Sequence, residues 1–430
     1  MNKPIVIGMI GLGTVGSGVM RLIARNAEQF LHKVGAPLVI KHVAVQSKEK
    51  ERDLEVAPQV LTDNVEDILN DPEIDIVVEV MGGIEQAKQY VTKALQNKKH
   101  VITANKDLIA LHGAELAQLA NEYECDLFYE ASVGGGIPII RSLTHGLASD
   151  EINRVVGIVN GTTNYILTKM SQNHEDFGDV LQDAKAKGFA ESDPSSDIDG
   201  LDAARKMAIL SGLAFSTNID LSDVHVKGIR HVSLEDIKYI QNLGYTLKLL
   251  GIGDRKHQKI EISVEPTLLP NSHPLASVHN EFNAVYLYGE AVGETMFYGP
   301  GAGSLPTATA VVSDVLEAAK NLRLGTTGRS YITPQYGKDL KSNAEMDRKY
   351  FFRILVKDKP GALAQITSIF AKHGISLERI LQQPKSKSVA EVVLITYRSS
   401  YENYEEVFNE FEQLDVIDSI LSSYRVEGEE

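Results

Sequence analysis

Five carboxylates and two cations crowd one stretch of this 430-residue chain, Gly188-Phe-Ala-Glu191-Ser-Asp193-Pro-Ser-Ser-Asp197-Ile-Asp199-Gly-Leu-Asp202-Ala-Ala-Arg205-Lys206. An EF-hand calcium loop is excluded: counted from Asp193, Ile198 stands where the loop needs glycine and Ala204 where it needs glutamate. Two readings remain. One is a solvated acidic loop with an ordinary i,i+4 pair between Asp202 and Lys206. The other is a reaction centre, and helix geometry favours it. At about 100° per residue, Asp202 and Lys206 project between Ile209, Leu213 and Leu210, while Ala204, Met207 and Ala208 cover the other side. A helix apolar nearly all round is a buried one. A buried lysine beside an aspartate is costly unless paired, and burial draws its pKa toward neutrality. Proton exchange with a substrate hydroxyl or carbonyl requires that property. The remaining carboxylates suit a substrate ammonium group.

A second constellation suits an anion. Gly11-Leu12-Gly13-Thr14-Val15-Gly16 directly follows the apolar run Ile5–Ile10 and opens a helical pattern. In that context the first glycine allows the tight turn, the second lets the backbone approach a pyrophosphate, and the third lets helix and strand pack closely. Free N–H groups and the helix dipole then hold the anion. NAD would place a carboxylate at the tip of the second strand for the ribose hydroxyl. Here that tip reads Val45-Gln46-Ser47-Lys48, with Lys50 and Arg52 behind it. NADP is therefore mildly favoured, against the plainer reading of a solvated charged loop. The single cysteine, Cys125, opens a strand expected to be buried, so a structural thiol is expected rather than a thioester-forming nucleophile. The chemistry left is plain alcohol–carbonyl hydride transfer.

These residues need elements to hold them. Strands are expected at Ile5–Ile10, 38–45, 74–80, His100–Thr103 and 126–129, alternating with helical stretches, which predicts an α/β fold with a parallel sheet covered on both faces. From about 137 to 300 longer helices mix with strands at 259–265 and 284–291. A turn-rich patch, YGPGAGSLPTATA, leads into a helix at 308–322, and a polar linker covers about 325–348. The last unit reads strand 350–356, helix 362–373, strands 376–382 and 390–397, helix 402–414 and strand Ile417–Val426. A βαββαβ order of this length predicts a ferredoxin-like domain.

Composition bounds the rest. The 43 Lys+Arg against 58 Asp+Glu give a net charge of −15, which argues against a nucleic-acid partner. One cysteine precludes an internal disulfide or a Cys-based zinc site. No apolar run approaches a membrane span of about 18–20 residues, and the glycine-studded N-terminus reads as strand and turn rather than signal peptide. A cytoplasmic protein is expected.

Further motifs stand in order along the chain: Thr103-Ala-Asn105-Lys106 at a strand end, Glu130-Ala-Ser-Val133-Gly-Gly135-Gly-Ile137-Pro138, and Asn160-Gly-Thr-Thr-Asn164-Tyr-Ile-Leu. Together with the glycine turn and Asp199-Gly-Leu-Asp202-Ala-Ala-Arg-Lys206, they closely resemble the bacterial homoserine dehydrogenases that carry a C-terminal ACT domain, over essentially the whole chain. The resemblance implies NAD(P)-dependent interconversion of L-aspartate 4-semialdehyde and L-homoserine, on the route to threonine, methionine and isoleucine. It implies a Rossmann domain (1–137, with 301–322 returning to it), a central α+β catalytic and dimerisation domain (138–300), a linker (323–349) and the ACT domain (350–426).

By the same resemblance Lys206 donates the proton, supported by Asp197 and Asp202. Glu191 binds the substrate amino group, with Asp202 and Lys106 also at the substrate. The cofactor contacts implied are Gly11, Leu12, Gly13, Thr14, Val15, Gly16, Thr103, Asn105, Lys106, Gly188 and Gly303. A monovalent cation, usually sodium, is implied on Glu130 and the carbonyls of Val133, Gly135 and Ile137. One departure matters: many relatives have Ala-Val-Arg where this chain has Ala44-Val45-Gln46, so NAD or dual use also fits. The ACT-like unit, with Asp358-Lys-Pro360-Gly361-Ala-Leu363, implies an amino-acid effector such as L-threonine, or else assembly alone. A homo-oligomer, dimer or tetramer, is implied.

Two rivals remain at this stage. A dehydrogenase for another small aldehyde or hydroxy acid would have to explain the stretch from Glu191 to Lys206. A non-catalytic sensor of nucleotide and amino acid would bind both ligands unchanged after Lys206→Ala.

Overall fold

The apolar run Ile5–Ile10 becomes β1, buried at every position but Val6, as a strand covered on both faces must be. The computed structural model describes residues 3–329 and 334–428. After β1 come α1 (Thr14–Arg25), α2 (Ala27–Val34), β2 (Leu38–Ala44), β3 (Leu61–Thr62), α3 (Glu66–Leu69), β4 (Ile76–Glu79), α4 (Glu85–Gln96), β5 (His100–Thr103), α5 (Lys106–Glu122) and β6 (Leu127–Phe128). The strands form one parallel sheet in the order β3-β2-β1-β4-β5-β6, the doubly wound dinucleotide-binding arrangement. One core face joins Ile7, Met9, Val19 and Val78 to Val311 and Val315 of the later helix Ser304–Leu324. The other packs Ile10, Ile68, Val77, Leu95 and Leu116. Each such fully buried aliphatic side chain is worth about 1.5–3 kcal/mol.

The chain divides into two compact units, Met1–Asn153 with Ala208–Ser222 and Asn283–Gly337, and Arg154–Met207 with Asp223–Phe282 and Lys338–Glu430. The first holds the parallel sheet and the short α6 (Ile139–Arg141). In the remaining order along the chain come β7 (Ile152–Ile158), α7 (Gly161–Asn173), α8 (Phe177–Ala186), α9 (Ser195–Ile198), α10 (Leu201–Phe215), β8 (Val224–Val226), α11 (Leu234–Asn242), β9 (Tyr245–Lys256), β10 (Lys259–Pro270), β11 (Phe282–Gly289), β12 (Gly293–Pro300) and α12 (Ser304–Leu324). The helix expected at 308–322 begins a turn earlier because Pro306 sits in its first turn, where a missing N–H costs nothing.

The C-terminal unit runs β13 (Asp347–Lys357), α13 (Ala362–Lys372), β14 (Leu377–Pro384), β15 (Val389–Thr396), β16 (Ser399–Ser400), α14 (Tyr401–Gln413) and β17 (Ile417–Val426). Its sheet order, β17-β13-β15-β14, is the ferredoxin-like one, over a core that includes Phe352, Phe370 and Phe411. The sequence did not reveal that this sheet continues into the central one: β17 pairs in parallel with β10 through Thr267↔Arg425 and Leu268↔Val426. The expected linker is also partly pinned. Lys341 N donates to Ile260 O at 2.9 Å, and β13 already begins at Asp347. Residues 330–333 of that linker lie outside the described residues.

Candidate active site

In the first unit the glycine turn joins β1 to α1, and its three glycines do different jobs. Gly11 has φ +105°, and a Cβ there would lie 2.7 Å from Val80 O; at Gly16 it would lie 2.5 Å from Gly11 O. Both positions are closed by backbone. Gly13, the N-cap of α1, has open space where its Cβ would stand and no side-chain cap. The first N–H groups of α1 thus face a surface that only a ligand or water can fill, which fits a pyrophosphate. Gly303, with φ +122°, caps α12 beside this turn, and the neighbouring Ser304 Oγ donates to Thr14 O at 2.7 Å.

At the ends of the adjacent strands, Thr103 Oγ1 donates to the buried Glu79 at 2.6 Å and accepts from Asn105 N at 3.0 Å. Asn105 caps α5 through Leu108 N and donates to Gly83 O at 2.6 Å, so Lys106 is presented as the first residue of that helix. Sequence reasoning missed Glu79. Burial pushes its carboxyl up, and Thr103 and the N–H groups of the following turn pull it back. A charged residue ending an otherwise apolar parallel strand was its only signal.

The bend Val133–Ile137 turns through two left-handed glycines, Gly134 at φ +72° and Gly135 at φ +52°. A side chain at Gly135 would collide with Gly301 O at 2.4 Å. Glu130 is buried, and its carboxylate accepts from the N–H groups of Ile140 and Arg141, both at 2.8 Å. Burial pushes this carboxyl up, against the pull of those donors and of Arg141. Asp314, also missed, accepts from Glu130 N and from the Arg141 guanidinium, and burial raises it to about 7. Of the atoms expected to hold a cation, the Glu130 carboxylate is taken up by the N–H groups of Ile140 and Arg141, and Ile137 O accepts from Ile139 N at 2.8 Å.

The second unit holds the other set. Lys206 Nζ donates to Asp202 Oδ2 at 2.7 Å and to Val159 O at 2.7 Å. The pair is mostly enclosed, with side chains 12% and 9% exposed, as the all-round apolar face of α10 predicts. Asp197, one helix earlier, is joined to Asp202 by Asn160, whose amide donates to both carboxylates at 2.7 and 2.8 Å. Burial pushes the Asp197 carboxyl up, and the Asp202 charge adds to that against Asn160 and Lys206. Glu191 lies exposed on the loop between α8 and α9, and Gly188 ends α8 with φ +76°. The structure therefore gathers Asp197, Asp202 and Lys206 into one hydrogen-bonded cluster and leaves Glu191 on the loop before it. Asn160 was visible only as part of a motif. A further lysine went unnoticed: Lys248 is buried against Asn164 Oδ1 (3.0 Å) and Val278 O (2.5 Å), and burial lowers it to about 7.

Cys125 is buried and its thiol is pushed up to about 11 by burial, so it is no nucleophile. Among the described residues no helix is long and apolar enough to cross a membrane.

A doubly wound sheet with an open glycine turn, accompanied by a lysine clamped to a carboxylate, defines an NAD(P)-dependent oxidoreductase. Comparison with known proteins narrows the class. Family models match residues 11–130 (homoserine dehydrogenase, NAD binding domain), 138–316 (homoserine dehydrogenase) and 350–416 (ACT domain). A homoserine dehydrogenase of Bacillus subtilis is 54% identical over 428 residues, covering 99% of each chain. A crystal structure of a homoserine dehydrogenase from Thiobacillus denitrificans superposes with a TM-score of 0.94 at 38% identity, covering 99% of this chain and 98% of that one. The S. aureus enzyme, at 40% identity and 99% coverage of both, gives 0.79. The chain belongs to the homoserine dehydrogenase family and carries its NAD-binding, catalytic and ACT domains.

Proposed function

We propose that the chain interconverts L-aspartate 4-semialdehyde and L-homoserine, on the route to threonine, methionine and isoleucine, with Lys206 as the proton donor to the aldehyde oxygen. The carrying observation is the clamp on Lys206. Its ammonium gives one N–H to Asp202 and one to Val159 O, which leaves the third for a substrate oxygen. The nicotinamide supplies the hydride. Lys206 meets the charge that develops on oxygen and passes its proton there, while Asp202 and Asp197 hold it in place. In the reverse direction the lysine takes the hydroxyl proton. Glu191, exposed at the loop, takes the substrate ammonium, and Lys106 at the head of α5 lies at the nicotinamide end of the pocket.

The cofactor's phosphates rest on Gly11 to Gly16, with Thr103, Asn105, Gly188 and Gly303 as further contacts. NADP is mildly preferred, and NAD is also used. No carboxylate stands at Gln46, and Arg52 is folded against the carbonyls of Ser47 and Lys50 at 2.6 and 2.8 Å, keeping a cation at the strand tip. A monovalent cation such as sodium is held by Glu130 and the carbonyls of Val133, Gly135 and Ile137. The enzyme works in the cytoplasm as a homo-oligomer, dimer or tetramer, and the ACT domain binds L-threonine as a feedback effector.

The test is the initial rate of NADPH and, separately, NADH oxidation with L-aspartate 4-semialdehyde, each with and without L-threonine. Turnover with both, faster with NADPH and slowed by threonine, is the expected result. Absence of turnover with either cofactor would sink the substrate assignment, and indifference to threonine would leave the ACT domain an assembly module.

A further inference from the structure

Asn160 hydrogen-bonds to both carboxylates of the Lys206 cluster. It follows Val159, whose carbonyl receives Lys206, and it is the N-cap of α7. All of its hydrogen-bonding capacity is spent. One amide N–H goes to Asp197 Oδ1 at 2.7 Å and the other to Asp202 Oδ2 at 2.8 Å. The amide oxygen accepts from Thr163 N at 2.8 Å and from Thr163 Oγ1 at 2.9 Å. The same Asp202 oxygen that takes the amide also takes Lys206. We propose that Asn160 is a positioning residue for this reaction: by sharing one neutral amide between two carboxylates, it keeps both ionised and aimed so that Asp202 can hold Lys206.

The physical case is one of like charges. Two carboxylates in one buried site resist being ionised together, and a single lysine neutralises only one of them. A charge-free donor that serves both lowers that cost without adding a third charge. The positive end of the thirteen-residue α7 faces the pair through this cap and works in the same direction. Among the described residues the groups at the cluster include Asp197 from α9, Asp202 and Lys206 from α10, and the Thr163 hydroxyl from α7, which donates to the Asn160 amide oxygen; the Thr162 hydroxyl donates instead to Phe189 O at 2.5 Å. A lysine or arginine in place of Asn160 would compete with Lys206 for Asp202. An aspartate would add a third charge. An amide avoids both conflicts.

The proposal rests on the reading of Lys206 as proton donor, and the experiment separates the two. Asn160→Ser keeps a good cap for α7 but withdraws the amide from both carboxylates; Asn160→Ala loses cap and bridge together. Both are compared with Lys206→Ala across the pH profile of kcat, with thermal melting and nicotinamide binding as controls for folding. The expected result for Asn160→Ser is an unchanged melt and cofactor affinity, a fall in kcat of about tenfold at neutral pH, and an acid limb moved up by about one pH unit. If Asn160→Ser matches the wild type at every pH and only Asn160→Ala falls, the residue is a helix cap and the proposal is overturned. A loss that is the same at every pH overturns it too. If Lys206→Ala itself keeps its turnover, the reading of the site fails instead.

Discussion

Among the buried charge clusters of the second unit, two differ in balance. Around β10 and β17, Arg154, Lys341, Arg348 and Arg425 meet Asp254, Glu261, Glu265 and Glu427, four cations against four carboxylates. Arg425 binds Glu427 at 2.8 Å, and Arg348 binds Glu265 at 2.9 Å. Around α10, Lys206 pairs with Asp202, and the neutral Asn160 amide donates to both Asp202 and Asp197. The balanced cluster spans the strand junction between the central and ACT sheets. In the α10 cluster Lys206 donates to Asp202 and to Val159 O, and the proposed function uses its remaining N–H.

The largest expected effect falls on the unbalanced side. Lys206→Ala removes the proposed proton donor and lowers kcat per folded molecule by about 10²–10⁴-fold, and because it also takes the cation from the buried Asp202, stability falls in a denaturant titration; a variant with near-normal kcat per folded molecule would end the distinction. On the balanced side, Arg425→Met leaves Glu261 and Glu427 buried without their shared cation. Stability drops by about 3–5 kcal/mol in a denaturant titration, whereas kcat per folded molecule holds. A collapse of kcat with stability intact would mean that the two clusters do the same work.

A smaller effect appears in acid. Burial alone would raise the Glu427 carboxyl, but Arg425 and Arg154 more than offset it and hold it at about 2, against an ordinary 4.5. A carboxyl depressed on folding contributes stability that is complete above its unfolded value and is lost as pH falls through its folded one. Unfolding free energy should therefore decline between pH 4.5 and 2, and Glu427→Gln should flatten that slope. An unaltered slope would place the acid sensitivity elsewhere. The smallest effect belongs to neither cluster: Cys125→Ser changes kcat by less than about twofold, and iodoacetamide does not inhibit, because a buried thiol raised this far stays protonated. Inactivation by the reagent would show a reactive cysteine.

Much of this was legible in advance. The glycine turn, the alternation of strand and helix, and the βαββαβ order each depend on local spacing, and each matches the structure. The Asp202–Lys206 pair was legible for the same reason, since a helix sets the spacing of i and i+4. Asn160 and Glu79 were not, because a residue's partners across a sheet or between helices leave no periodic trace. Asn160 reaches Asp197 and Asp202, 37 and 42 positions further along the chain. The joining of β17 to β10 was equally hidden, since strand pairing at a distance is decided by packing and not by the strands' own pattern.

The sequence by itself determined the elements, the glycine turn and a lysine one helical turn from an aspartate, because each follows from backbone geometry and hydrophobic period. Tertiary structure alone decided which carboxylates share a donor and which cations pair across the strand junction. Burial makes an unpaired charge costly, and only the folded chain settles who pairs with whom.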